Sequence, residues 1–319
     1  MSTPTLRNLA AALAAAAMTL TACGEGSASC PGGWCPVSSP PAGNSLTAVW
    51  GSASNDVWIV GGPSDSILHW NGSAISAVST GTTATLLGVW GSGPADVWAV
   101  GHMDGPGIIL HWDGSAWSTA AVGDIAKLNC VWGTGANDVW AAGDAGAMLH
   151  WDGVSWSAVA SNTQLFIGGV WGSERSDVWA VGGKNVIQHW DGTSWSTATG
   201  GDATLHSLRS VWGSGAGDVW AVGDDGNAAG IFFHWDGSAW SSPANTAGPA
   251  LFALWGSGGS DIWAVGGNGA LLHWDGSTWS SPASVMSFFL DGIWGSTPAD
   301  LWAVGSTGTA AALFHHEGS

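Results

Sequence analysis

The chain has 319 residues, with 26 Trp, 51 Gly and no Tyr, and only 9% of it is charged. Acidic residues number 23 against 5 basic ones, a formal net charge of −18. So few and scattered cations exclude binding along a nucleic-acid phosphate backbone, which needs clustered Lys and Arg. The excess of Gly, Ser, Thr, Val and Trp disfavours long helices and suits short strands.

The first segment reads as an address. Arg7 precedes an apolar, Ala-rich run from Leu9 to Leu20, followed by Thr21-Ala22-Cys23. The pattern predicts an export signal over residues 1–22, because the run is shorter than the ~20 residues that span a bilayer. Leu20-Thr21-Ala22-Cys23 resembles the lipobox of bacterial lipoproteins. That resemblance implies lipidation of Cys23, anchorage in a membrane and, with Gly24 rather than Asp after it, sorting to an outer membrane. An ordinary signal peptide cut elsewhere is the alternative. Residues 23–31 then form the lipidated Cys and a short linker. Export permits disulfides, and Cys30 with Cys35 could close a loop around Pro31-Gly32-Gly33. Cys130 is expected to be a small buried residue.

From residue 32 to 319 one unit recurs. Its leading Trp stands at Trp50, Trp90, Trp132, Trp171, Trp212, Trp255 and Trp294, a period of about 41 residues, which is that of a propeller blade. Each unit predicts four antiparallel strands: an apolar stretch ending Val-Trp-Gly, then Asp-Val-Trp-Ala-Val-Gly, then Leu-His-Trp, then one beginning Trp-Ser. Asp113-Gly114 and its equivalents between the last two supply a tight hairpin turn. The last unit stops after Leu313-Phe314-His315-His316, without a fourth strand. Gly33 to Ser38 resembles that missing strand, so the segment near Trp34 is expected to complete the last blade. Pro36 suits such an outermost position. The expected fold is all-β, a seven-bladed β-propeller in one domain.

The units resemble bacterial propeller repeats of the broad BNR/Asp-box and WD-like group, over roughly residues 32 to 319. They depart from the Asp-box, which has one residue between Asp and Gly, whereas Asp113 and Gly114 are adjacent. Tectonin-type lectin repeats are a looser likeness. The resemblance implies the fold, not the function.

Within the repeat, Trp50, Trp58 and their equivalents are expected to wedge blade against blade. The outer Trp117, Trp156, Trp195, Trp240 and Trp279 are expected nearer the rim, either as wedges or as a repeated sugar platform. The recurring His69, His111, His150, His189, His234, His273 and His315, and the recurring Asp56, Asp96, Asp138, Asp177, Asp218, Asp261 and Asp300, lie in separate blades. They are expected to satisfy loop backbone groups or indole N–H groups, not to form a catalytic centre or a metal site. No metal and no cofactor are expected.

One position does not repeat. Three residues before each leading Trp stand Thr47, Leu87, Asn129, Gly168, Arg209, Phe252 and Asp291. The loops expected beside it, Asp124–Lys127, Gly200–His206, Asp224–Gly230 and Val285–Phe289, vary as well. Variation on a constrained scaffold marks a candidate binding face; drift at an open channel mouth would look alike. The candidate ligand-binding residues are Lys127, Asn129, Arg209, Phe252, Phe288 and Asp291. Arg209 and Lys127 suit an anionic group, Asn129 and Asp291 hydroxyls, and the phenylalanines an apolar face. Arg209 and Asp291 pairing across the channel is the alternative, and Asp224-Asp225-Gly226-Asn227 is read as a turn. The lack of Tyr excludes sialidase-type and galactose-oxidase-type chemistry. The expected function is a non-catalytic, lipid-anchored envelope or surface module, a monomeric ring whose top face binds carbohydrate or a protein segment. A scaffold for envelope assembly is the first alternative. A glycoside-active enzyme is the second, although no Glu is expected at the top face.

Overall fold

Runs such as Asp-Val-Trp-Ala-Val-Gly hold strand-forming residues without a polar interruption, which suits a strand covered on both faces. In the computed structural model these runs are the second strands of seven sheets, and they are buried almost throughout. The structure describes residues 18–19, 30–37, 45–63, 66–198, 206–242, 248–282, 288–308 and 310–318. One blade shows the plan. Its inner strand is Thr85–Gly93, its second Asp96–His102, its third Gly107–Trp112 and its outer strand Trp117–Thr119, all antiparallel neighbours. Between the last two, Gly114 takes φ +92°. The Asp113 carboxylate accepts hydrogen bonds from the Ser115 hydroxyl and the Ser115 and Ala116 amides, which hold its pKa down at about 2.

The seventh blade is completed from the other end of the ring. Trp34–Pro36 pairs antiparallel with Phe314–His316, in the register Trp34↔His316, Cys35↔His315 and Pro36↔Phe314. The Val37 amide continues it by donating to the Leu313 carbonyl at 2.9 Å. Cys30 and Cys35 are joined by a disulfide; Ser38 lies outside the described residues. The first sheet carries a fifth strand, Met18–Thr19, paired with Ile75 and Ala74. These two residues belong to the expected export signal, so cleavage before Cys23 would uncover that outer edge. The rest of the signal, Cys23 and the linker up to Ser29 (expected within 23–31) lie outside the described residues.

The core consists of seams between blades. One seam joins Trp58, Val60 and Ile67 of the first blade to Leu86, Val97, Leu110 and Trp117 of the second. Each second-strand Trp receives aromatic rings from the next blade. Trp98, 2% exposed, meets Trp151 and Trp156 at centroid distances of 5.1 and 5.2 Å, the latter edge-to-face. Trp58, Trp140, Trp179 and Trp220 repeat the arrangement. At the closing seams the pair differs: Trp263 meets His316 and Trp34, and Trp302 meets Trp70 and packs in a cluster with Ile75. The outer tryptophans are therefore wedges inside the seams, with Trp117, Trp195 and Trp240 at 8, 3 and 4% exposure. Of the two expectations for these residues, wedge or sugar platform, the packing fits the wedge: burying an indole removes ~150–250 Å² from water.

The leading tryptophans behave differently. They are half-buried and line the central channel. Each ring lies over the glycine of the next blade: a Cβ at Gly91 would sit 2.6 Å from Trp50, and one at Gly51 2.6 Å from Trp294. The overlap runs from the last blade back to the first, so the ring is closed in its inner layer as well as at its rim.

The recurring Asp and His find each other. In every blade His Nε2 donates to the Asp Oδ1 at 2.6 to 2.7 Å. A Ser or Thr hydroxyl donates to the other carboxylate oxygen of that Asp, as Ser92 does to Asp96 at 2.5 Å. The imidazole lies against the second-strand Trp at 4.0 to 4.4 Å. The expectation of indole or loop-backbone partners is corrected: among the described residues only Trp220 donates its N–H to the aspartate, Asp218, at 3.1 Å. The physical reason is charge. A half-buried carboxylate is better satisfied by an imidazole and a hydroxyl fixed on neighbouring strands.

Candidate functional site

Every inner strand contains two β-bulges, visible as register shifts in its pairing with the second strand. The lower bulge residue is the Ser or Thr that serves the aspartate, for example Ser92 between Gly91 and Gly93. The upper bulge residue is the variable one: Thr47, Leu87, Asn129, Gly168, Arg209, Phe252 or Asp291. A bulge leaves one residue unpaired and re-aims its side chain. All seven upper bulge residues line one central cavity of about 800 Å³.

The charges at this mouth are largely matched. Lys127 Nζ lies 3.3 Å from Asp144 Oδ2, and Asn129 Nδ2 donates to Asp144 Oδ1 and to the Ile167 carbonyl, both at 3.0 Å. Arg209 Nε and Nη2 both reach Asp224 Oδ2 at 3.1 Å. Its guanidinium lies 5.6 Å from the centre of the Phe252 ring, within cation–π range. Thr47 Oγ1 donates to the Leu86 carbonyl at 2.7 Å.

Asp291 stands apart. It makes no hydrogen bond or ion pair among the described residues, and burial pushes its carboxyl up to about 6, against the opposing positive charge of Arg209. The alternative of an Arg209–Asp291 pair is thus corrected: Asp224, on the strand paired with that of Arg209, is the nearer and better oriented partner.

Of the sequence-predicted residues, Lys127, Asn129, Arg209, Phe252 and Asp291 line the channel together. Phe288 does not. Its ring stacks on Phe314 at 5.7 Å and packs against the seam beside the last blade, because an apolar ring entering a strand gains more from that seam than from the wet mouth. Phe166, Asp144 and Asp224 line or brace the mouth and were missed as site residues. A signal for the two acids exists: each lies 15 residues after the bulge side chain that it holds. The Asp224–Asn227 segment is a turn, with Asp225 accepting from the Asn227 and Ala229 amides. Residues 200–205 and 285–287 of the variable loops lie outside the described residues.

No family model and no curated protein matches this chain. Among solved structures, YCF48 bound to D1 peptide is similar with a TM-score of 0.71 at 17% identity, covering 90% of this chain and 96% of that one. YCF48 from Cyanidioschyzon merolae is similar with a TM-score of 0.69 at 16% identity, covering 89% and 99%. The WD40 repeats of RRP9 are similar with a TM-score of 0.72 at 9% identity, covering 89% and 97%. Likeness at these identities establishes the seven-bladed ring and nothing finer.

Proposed function

We propose that this chain is a non-catalytic binding module that holds a segment of another protein at the variable mouth of its channel. The observation that carries the reading is the row of upper bulges: seven different residues, six of them with side chains and one the glycine Gly168, line one cavity on strands whose remaining pattern repeats. A concave site with a few convergent polar groups is where ligands bind. A propeller of similar architecture, YCF48, has its structure with a D1 peptide, which supports a segment as the occupant. Carbohydrate is the weaker reading, since the outer indoles pack in the seams and each leading indole along the channel is laid over a glycine of the next blade. The lipobox-like Cys23 supports export and anchorage at an outer membrane, which would hold the ring near envelope proteins and make one of them the natural source of the segment.

Panning a displayed peptide library on the ring, beside a glycan array, tests this. Peptide binders are expected whose binding is lost when Lys127, Arg209 and Asp291 are changed together to Ala. Glycan binding without peptide binding would overturn the reading. For the anchor, Cys23→Ala is expected to move the protein from the membrane to the soluble fraction; retention at the membrane would sink that part.

A further inference from the structure

Among the described residues two cations and three acids gather at the channel mouth, and they do not match one to one. Lys127 is held by Asp144, and Arg209 by Asp224. Both acids stand at the exit of the second strand, 15 residues after an upper bulge. In the last blade the equivalent exit residue is Ser306, and Asp291 has neither an ion pair nor a hydrogen bond among the described residues. We infer that the mouth selects its bound segment by a cation, a Lys or Arg side chain or a free amine, seated against Asp291; this rests on the segment-binding reading above.

Three physical points favour a cation over an anion. An anionic group would find Lys127 and Arg209 already neutralised, and would have to displace an aspartate to reach either one. A cation finds a carboxylate that nothing in the ring has neutralised at contact distance. Burial already disfavours ionised Asp291, and an incoming positive charge relieves that unfavourable state instead of creating a new one. The chain's net charge of −18 also draws basic segments toward it. Phe252 and Phe166 line the same cavity, giving the methylene stem of a Lys or Arg an apolar surface to lie along.

The inference carries a pH dependence. Among the described residues the charged groups at the cavity with Asp291 are Lys127, Asp144, Arg209 and Asp224. A cation binds the ionised carboxylate, so affinity is expected to be full above pH 7 and to fall as the pH drops through about 6.

The test starts from a displayed library of degenerate twelve-residue peptides panned on the folded ring at pH 7.5. Recovered peptides are synthesised and titrated calorimetrically against the wild type, Asp291→Asn and Asp291→Glu. Enrichment of Lys or Arg is expected. Replacing the basic residue by norleucine, or Asp291 by Asn, should weaken binding about tenfold or more, with Asp291→Glu restoring part of it. Thermal melting of Asp291→Asn at or above the wild-type temperature shows that the loss is not misfolding. Binders with no preference for basic residues, or with equal affinity for Asp291→Asn, would overturn the cation inference and leave segment binding standing. Failure to recover any binder from the library would overturn both.

Discussion

Two bulges on the same inner strand, five residues apart in the first blade at Thr47 and Ser52, have gone opposite ways. The lower one carries Ser or Thr in all seven blades, and its hydroxyl always binds an aspartate that an imidazole also holds. The upper one carries seven different residues. Both are the same backbone device, an unpaired residue turned out of the ladder. The lower bulge points into a network that must be fully satisfied because it is half-buried, so little but a small hydroxyl residue fits. The upper bulge points into an open channel, where the fold places no such demand.

The comparison breaks first at the seams that both bulges depend on. Trp98→Ala removes a ring that three aromatic groups touch and is expected to lower stability by about 3–5 kcal/mol in urea unfolding. His150→Ala leaves the carboxylate of Asp138, 1% exposed, with only Thr134 and the more distant Arg175. A loss of about 2–3 kcal/mol is expected at pH 7. At the upper bulge the sign reverses. Asp291→Asn is expected to raise stability by about 1–2 kcal/mol at pH 8, because it removes a carboxylate that burial penalises. The smallest change is Leu87→Ala at an upper bulge, expected to stay within about 0.5 kcal/mol.

Acid sharpens the contrast. Asp291 has its pKa raised on folding from 3.8 to about 6, so the native ring binds its proton more tightly than the unfolded chain does. Its destabilising effect is complete above about pH 6 and disappears as the pH falls to about 4. Burial pushes the Asp138 carboxyl up, but hydrogen bonds from His150 and Thr134 and the charge of Arg175 outweigh it and hold the group low; Asp300 is held low in the same way by His315 and Ser296. Their contribution is present above pH 3.8 and is lost as the pH falls below that value. His316, whose pKa burial lowers from 6.5, works the other way and costs stability as the pH falls below that value. The signature of Asp291 is therefore a difference: the stability advantage of Asp291→Asn over the wild type should be full above pH 7 and shrink as the pH falls from about 6 to about 4.

The ring was legible because each blade states its strands and turns separately, so no single reading carried the fold. Even closure could be read, from a Trp-Ser-like strand present at Trp34 and absent after His316. The partners of the charged side chains were harder to read. Asp and His recur once per blade with a Ser or Thr four residues before each Asp, a pattern that carries the pairing, yet composition alone pointed to indole and backbone partners instead. Arg209 and Asp291 were set against each other because their strand positions match, whereas choice of partner depends on which carboxylate the adjacent strand brings to 3.1 Å. The seam position of Phe288 depends on the course of a loop that has no repeat to follow.

The seam of the seventh blade also sets an order in time. Trp34–Pro36 is synthesised early and its partner Phe314–His316 about 280 residues later, and bringing ends that far apart together is the slow, entropically opposed step of such a topology. In the closed ring Trp34 and His316 cover Trp263, and without that pairing its indole would lack both neighbours. A chain interrupted before Phe314 would expose that indole and an unpaired strand edge together, the signature that chaperones and proteases act upon.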